Sequence, residues 1–129
     1  MLKKVFVVDD DLTDQEFLKT AFNQIDFHSV QFFSDVFSIV QKLKTLERAL
    51  LPNLIIADYK MPSLDGFNLV SFLKKNTHLS SIKVVILTGS ITDNESYRLV
   101  SAGVTKILIK PDSILNYKNL AIELRELAG

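Results

Sequence analysis

The sequence predicts a single α/β domain built on a doubly wound parallel sheet, with helices on both faces. Short apolar runs alternate strictly with amphipathic stretches of helical periodicity along the 129 residues, which is the pattern of repeated strand–helix units. Four of the five apolar runs show no polar alternation, as expected for strands that are buried on both sides of a parallel sheet. The right-handed crossovers that join such strands place helices on the two faces.

Each predicted strand is a run of four or five residues rich in Val, Ile and Phe, side chains that favour extended structure. The runs cover residues 4–8, 29–33, 53–57, 83–87 and 106–109. They are far shorter than the roughly 20 apolar residues of a membrane-spanning helix, and the first is too short for the apolar region of a signal peptide. The five runs therefore predict a five-stranded sheet.

The five predicted helices are amphipathic, with apolar residues spaced three or four positions apart. A Thr13-x-x-Glu16 capping box introduces the first helix. The fourth helix is short, from about Thr92 to Ala102, and Gly103 follows it as the C-cap. The apolar positions of the other helices are Phe17, Leu18, Ala21, Phe22 and Ile25 in the first, Val36, Val40, Leu43 and Leu50 in the second, Leu69, Val70 and Leu73 in the third, and Leu115, Leu120, Leu124 and Leu127 in the last.

Composition excludes several classes of protein. Hydrophobic residues make up 47% and charged residues 23% of the chain, the ordinary balance of a globular domain. Fifteen basic and fifteen acidic residues give a net charge of zero, so no overall field attracts nucleic acid or an anionic membrane. The absence of cysteine excludes disulfides, thiolate metal sites and cysteine nucleophiles. These properties fit a cytoplasmic protein.

Polar or charged side chains follow four of the five predicted strands. Asp9 and Asp10 close the first strand, Asp58 the third, Thr88 the fourth and Lys110 the fifth. The carboxyl ends of parallel strands meet at one edge of the sheet, where ligands bind in this class of fold. A single aspartate in such a position commonly starts a turn. Three carboxylates, a hydroxyl and an ammonium group at the same edge instead indicate a functional site.

The charges at this edge predict a bound cation. Each contact between like charges at about 4 Å costs on the order of 4 kcal/mol at an effective dielectric constant near 20, so the site must raise a pKa or bind a cation. Three carboxylates, the Lys110 ammonium and one divalent ion sum to zero charge. An all-oxygen ligand set favours Mg²⁺. Zinc is not expected, because His28 and His78 lie far from the acids in the sequence.

Four motifs resemble those of the receiver domains of two-component response regulators. They are "VVDD" (7–10), "ADYKMPSLDG" (57–66), "ILTG" (86–89) and "ILIKP" (107–111), and the resemblance covers essentially the whole chain. It implies a flavodoxin-like sheet with the strand order 2-1-3-4-5. It further implies that residues 1–129 form one receiver domain, with no output domain in this chain.

The resemblance implies a signalling phosphoprotein that catalyses only its own phosphorylation and dephosphorylation, and is otherwise not an enzyme. The expected partners are a histidine kinase or histidine phosphotransfer protein and an unidentified downstream protein. Neither direct nucleic acid binding nor membrane binding is expected of this chain. Output is expected through protein–protein contacts.

The resemblance also implies a role for each residue of the site. Asp58 is the expected phosphoacceptor, and Asp10 and Asp58 are expected to ligate Mg²⁺ directly, together with the backbone carbonyl of Lys60. Asp9 is expected to act on the metal through water. Thr88 and Lys110 are expected to contact different oxygens of the phosphoryl group, where charge builds during transfer.

One position departs from the pattern of the family. Many receivers carry Tyr or Phe three residues before the lysine of the Lys-Pro pair, and this aromatic side chain moves inward on phosphorylation. Here that position is Ile107, which is β-branched, stiff and without a hydroxyl. We expect coupling to run instead through the polar loop 89–95 after Thr88.

Three alternatives remain open from the residues alone. Phosphatases of the haloacid dehalogenase type also use an aspartyl nucleophile and Mg²⁺, but their Asp-x-Asp pattern would need a second acid where Lys60 stands. A flavodoxin-like nucleotide or flavin binder would need a glycine-rich phosphate loop, and the chain has four glycines and no such motif. The third alternative is a receiver fold that binds partners without being phosphorylated.

Overall fold

The computed structural model describes residues 3–129, which form a parallel sheet whose strands alternate with helices. The strands are β1 (Val5–Val8), β2 (Val30–Phe33), β3 (Leu54–Ala57), β4 (Lys83–Thr88) and β5 (Lys106–Ile109). The helices are α1 (Leu12–Gln24), α2 (Val36–Thr45), α3 (Gly66–Lys75), α4 (Asp93–Ala102) and α5 (Ile114–Leu127). All strand pairs are parallel and the order is β2-β1-β3-β4-β5, so the predicted fold is confirmed.

The two faces of the sheet are covered by different helices. On one face, Phe6 and Val8 of β1 pack in a buried cluster with residues of α2, α3 and α4. On the other face, Val5 and Val7 pack in a second cluster with residues of α1 and α5. The side chains of a strand alternate between its two faces, so β1, β3 and most of β4 need apolar residues at every position. The unbroken apolar runs in the sequence have this cause.

The edge strand β5 is less buried than its sequence predicts. Its apolar run "KILI" suggests a strand covered on both faces, but its first and last residues are exposed and the middle two are half-buried. Ile109 retains 56% of its exposure. Strand β5 pairs only with β4, so it lacks the second neighbouring strand that completes the burial of β1 and β3.

The second helix is shorter than its apolar spacing predicts. Helix α2 ends at Thr45, whose hydroxyl donates to the carbonyl of Lys42 at 2.8 Å. The next residue, Leu46, has extended backbone angles. Leu50 therefore does not belong to α2 and lies in a short 3₁₀ helix at Arg48–Leu50.

The first helix begins two residues earlier than its predicted capping box. The N-cap of α1 is Asp11, whose carboxylate accepts from the backbone amides of Thr13 and Asp14 at 2.9 and 3.1 Å. Both Asp11 and Thr13 are good N-cap residue types, and the helix uses the first. The predicted bounds of α4 are confirmed, with a capping box at its start and Gly103 in the left-handed region (φ 106°) at its end.

None of the helices in the described part of the chain combines the length and the apolar character that crossing a bilayer requires.

Candidate functional site

The parallel register places the ends of β1, β3 and β4 side by side. Val8 pairs with Ala57, and Ala57 pairs with Ile86. The backbone amide of Asp58 continues this ladder and donates to the carbonyl of Val8 at 3.1 Å. As a result, the residues that follow β1 and β3 leave the sheet next to each other.

Three of the predicted site residues form an acidic cluster at this edge. Asp9, Asp10 and Asp58 each offer a carboxylate oxygen, and these oxygens all lie within 4.8 Å of one another. Asp9 is buried, Asp58 is half-buried and Asp10 is exposed. An open cluster of hard oxygen ligands suits Mg²⁺, which retains several water molecules when a protein binds it. Lys60 is exposed in the loop directly after Asp58.

The fourth charged residue of the site, Lys110, is brought to the same cluster. Its Nζ lies 2.8 Å from Asp9 Oδ2 and 2.9 Å from Asp58 Oδ2, and 11% of its side chain is exposed. Burial acts to lower the pKa of Lys110, but hydrogen bonds to Asp14, Asp9 and Asp58 outweigh burial, and the pKa is raised overall. Lys110 is therefore a permanent cation in the site.

The pKa of Asp9 is raised as well, which for a carboxyl group favours the uncharged form. Burial is the main cause that raises the pKa of Asp9, to about 6, and the charge of Asp58 adds to this. Hydrogen bonds from Lys110 and from the backbone amide of Asp11 offset part of the increase. The sequence predicts a raised pKa from repulsion between the acids; the pKa of Asp9 is raised, but burial is the largest cause and the charge of Asp58 the smallest.

The Asp58 carboxylate is held by two donors. Its Oδ1 accepts from the backbone amide of Tyr59 at 2.7 Å, and its Oδ2 accepts from Lys110 at 2.9 Å. The loop after Asp58 turns back on this segment, because the amide of Gly66 donates to the carbonyl of Tyr59 at 2.8 Å. A Cβ atom at position 66 would lie 2.7 Å from the backbone oxygen of Asp58, so the close approach requires glycine.

Comparison with known proteins identifies the family. The sequence profile of the response regulator receiver domain matches residues 5–119. This chain belongs to that family. The two-component response regulator ORR12 of Oryza sativa subsp. japonica is 30% identical over 112 residues, which are 87% of this chain and 89% of that protein. The probable methanogenesis regulatory protein FilR2 of Methanothrix harundinacea is 28% identical over 125 residues, 95% of this chain and 81% of that protein.

Solved structures share the fold of this chain. The crystal structure of the phosphorylated cyanobacterial phytochrome response regulator RcpA superimposes with a TM-score of 0.87, covering 98% of this receiver and 93% of that chain. The two sequences are 24% identical, so this likeness concerns the fold.

Thr88 and Ile107, the two remaining residues singled out from the sequence, lie on β4 and β5. Thr88, at the end of β4, is buried, and its hydroxyl donates to the carbonyl of Ser90 at 3.3 Å. The amide of Lys110 donates to the carbonyl of Thr88 at 2.8 Å, which places the two residues on neighbouring strand ends. Ile107 is half-buried in the middle of β5 and packs against the cluster under α4.

Two further residues of the site are absent from the sequence prediction. Asp14, in the first turn of α1, accepts from Lys110 Nζ at 2.7 Å. Gln15 is buried, and its Nε2 donates to the backbone carbonyls of Asp9 at 2.6 Å and Phe33 at 3.2 Å. A polar Gln15 in line with the apolar Leu18 and Phe22 was a usable signal for a buried hydrogen bond. Asp14 gave no comparable signal, because its partner lies 96 residues away in sequence.

Proposed function

We propose that this receiver accepts a phosphoryl group on Asp58 from the phosphohistidine of a histidine kinase or a histidine phosphotransfer protein. The observation that carries the proposal is the Asp58 carboxylate itself. It lies 2.9 Å from a permanent ammonium group on one side and belongs to a three-carboxylate cluster on the other. It remains partly open to solvent, with 11% of the side chain exposed.

The proposed chemistry gives each residue of the site a task. A carboxylate oxygen of Asp58 forms a bond to phosphorus as the bond between phosphorus and the donor imidazole nitrogen breaks, and its electron pair stays on the imidazole. Lys110 and the hydroxyl of Thr88 stabilise charge on the phosphoryl oxygens. Asp10, Asp58 and the carbonyl of Lys60 would hold Mg²⁺ directly and Asp9 through water, and the ion would supply further positive charge to those oxygens.

Intact mass after incubation with acetyl phosphate and Mg²⁺ tests the proposal. Wild-type protein is expected to gain the mass of one phosphoryl group, and Asp58→Asn is expected to gain none, because an amide is not a nucleophile for phosphorus. The matched control is Asp65→Asn on the same loop. Asp65 caps α3 through the amide of Asn68, and asparagine caps helices as well as aspartate does, so this variant should be labelled like the wild type.

Two results would contradict the proposal. One is equal labelling of wild type and Asp58→Asn, which would place the phosphoryl group elsewhere. The other is sustained hydrolysis of a generic phosphate ester such as para-nitrophenyl phosphate, which is expected of an aspartyl phosphatase and not of a phosphoacceptor.

We also propose that output is communicated through the loop 89–95 and α4 to a downstream protein. The Thr88 hydroxyl has one proton, which it gives to the carbonyl of Ser90 at 3.3 Å. Donation to a phosphoryl oxygen would release that carbonyl. The surface beyond the loop carries exposed apolar side chains suited to protein contact, namely Tyr97, Val100 and Ile109.

Hydrogen exchange with and without beryllofluoride, a mimic of the phosphoryl group, tests this coupling. Amides of residues 89–95 are expected to change their protection severalfold when the mimic binds, whereas amides of α2 should not change. Asp58→Asn serves as the control, since it should not bind the mimic. Unchanged protection of 89–95 in the wild type would show that the signal does not pass through this loop.

A further inference from the structure

The ammonium group of Lys110 is surrounded by three carboxylates. Its Nζ donates to Asp14 Oδ2 at 2.7 Å and to Asp58 Oδ2 at 2.9 Å, and it forms an ion pair with Asp9 Oδ2 at 2.8 Å. The proposed phosphoacceptor and metal roles account for Asp58 and Asp9 but leave Asp14 without a role.

Asp14 differs from the other two partners in its attachment. Asp9 and Asp58 follow strands and belong to the acidic cluster, whereas Asp14 lies in the first turn of α1. A negative charge is favourable there because of the helix dipole. The carboxylate of Asp11 accepts from the backbone amide of Asp14 at 3.1 Å, which fixes the start of the helix. Asp14 thus presents its charge to Lys110 from a rigid element.

We propose that Asp14 is a positioning residue that keeps the Lys110 ammonium beside Asp58 during and after phosphoryl transfer; the inference rests on the proposed function of Asp58. Phosphorylation turns the Asp58 carboxylate into a mixed anhydride and places new negative charge on the phosphoryl oxygens, so Lys110 must exchange its contact with Asp58 Oδ2 for one with a phosphoryl oxygen. A cation bound at the acidic cluster competes with Lys110 for Asp9. Both changes disturb the contacts that hold the ammonium in place.

Asp14 takes part in neither change. Its attraction for the ammonium persists when Asp58 is modified, so the long, flexible lysine side chain stays at the reaction centre and does not turn into solvent. The Asp14 side chain is 24% exposed, against 11% for that of Lys110. The pair is thus shielded enough for the charge-assisted hydrogen bond to retain much of its strength.

The rate of phosphorylation at several acetyl phosphate concentrations, with saturating Mg²⁺, tests the inference. Asp14→Ala is expected to lower the maximal rate about tenfold, with the half-saturating concentration unchanged because Asp14 does not touch the donor. Asp14→Glu, which keeps the charge on the same helix turn, should recover part of the rate. In a Lys110→Met background, Asp14→Ala should cause no further slowing, because the two residues act as one unit.

A second measurement separates positioning from a merely structural tie between α1 and β5. The NMR signal of the Lys110 ammonium, assigned by its loss in Lys110→Met, should be sharp in the wild type and broadened by exchange in Asp14→Ala. Glu16→Gln is the matched control. Glu16 is an exposed acid on the same helix that pairs with Lys19 at 3.3 Å, and its loss should change neither the rate nor the signal.

The possible failures are distinguishable. A wild-type maximal rate in Asp14→Ala would overturn this inference alone. So would equal slowing of Asp14→Ala in the presence and absence of Lys110. If wild-type protein takes up no phosphoryl group, the proposed function fails, and this inference fails with it.

Discussion

Replacement of Lys110 by methionine is expected to slow the phosphorylation of Asp58 by about 10²–10³-fold, the usual effect of removing one preorganised charge-stabilising group from an active site. Methionine keeps an unbranched chain of similar length but carries no charge. The ammonium lies 2.9 Å from Asp58 Oδ2, where charge builds on the phosphoryl group. The time course of the phosphoryl adduct by intact mass, at fixed acetyl phosphate and Mg²⁺, measures the effect.

The same substitution should lower the melting temperature in Mg²⁺-free buffer. Loss of the cation leaves Asp9, Asp14 and Asp58 facing one another, and acids that lose a partner in a shielded site destabilise the fold. Lys106→Met, at the start of the strand that Lys110 follows, is the matched control. Lys106 pairs with Glu123 at 2.6 Å, but 49% of its side chain is exposed, and such pairs contribute little. Equal labelling rates for Lys110→Met and wild type would contradict the proposed role of Lys110.

Gly66→Ala is expected to lower the free energy of unfolding by about 2–3 kcal/mol, as overpacking does in a dense interior. The new Cβ would lie 2.7 Å from the backbone oxygen of Asp58 and 3.2 Å from the Cα of Tyr59. These are backbone atoms, so relief of the clash must move the segment that carries the proposed phosphoacceptor. Slower phosphorylation should therefore accompany the lost stability, and urea unfolding measures the latter.

Gly89→Ala provides the control for backbone substitution. A Cβ at position 89 meets no atom within 4 Å, and the position is exposed. This variant should unfold at the wild-type urea concentration or slightly above it, because alanine restricts the unfolded chain. If Gly66→Ala were as stable as Gly89→Ala, the loop after β3 would have to be more adaptable than its contact with Asp58 indicates.

Much of the candidate site could be predicted because parallel strands end at a common edge. Asp9, Asp58 and Lys110 each follow an apolar run, and the fold alone brings such positions together. The strand order could not be derived from apolar patterns, since these do not say which strands are neighbours. It depended on the resemblance of the motifs to a family.

The contacts that escaped prediction depend on the relative placement of distant elements. Asp14 meets Lys110 only because the first turn of α1 and the residue after β5 come together across 96 residues of sequence, which no local pattern encodes. The N-cap of α1 at Asp11 escaped prediction for a different reason, because two adequate cap residues, Asp11 and Thr13, stand two positions apart. Leu50 continued the apolar spacing of α2, although the backbone had already become extended at Leu46.

Helix α4 is weakly anchored, and this has a thermodynamic consequence. Leu99 is its one buried residue, whereas α3 buries Gly66, Leu69, Val70 and Leu73. An element with few buried contacts can change position at low free-energy cost. Coupling between two sites is reciprocal. If phosphorylation of Asp58 displaces α4, a downstream protein that binds the displaced helix more tightly must favour the phosphorylated state by the same free energy. The recipient of the signal would thereby help to determine how much of the receiver population is switched on.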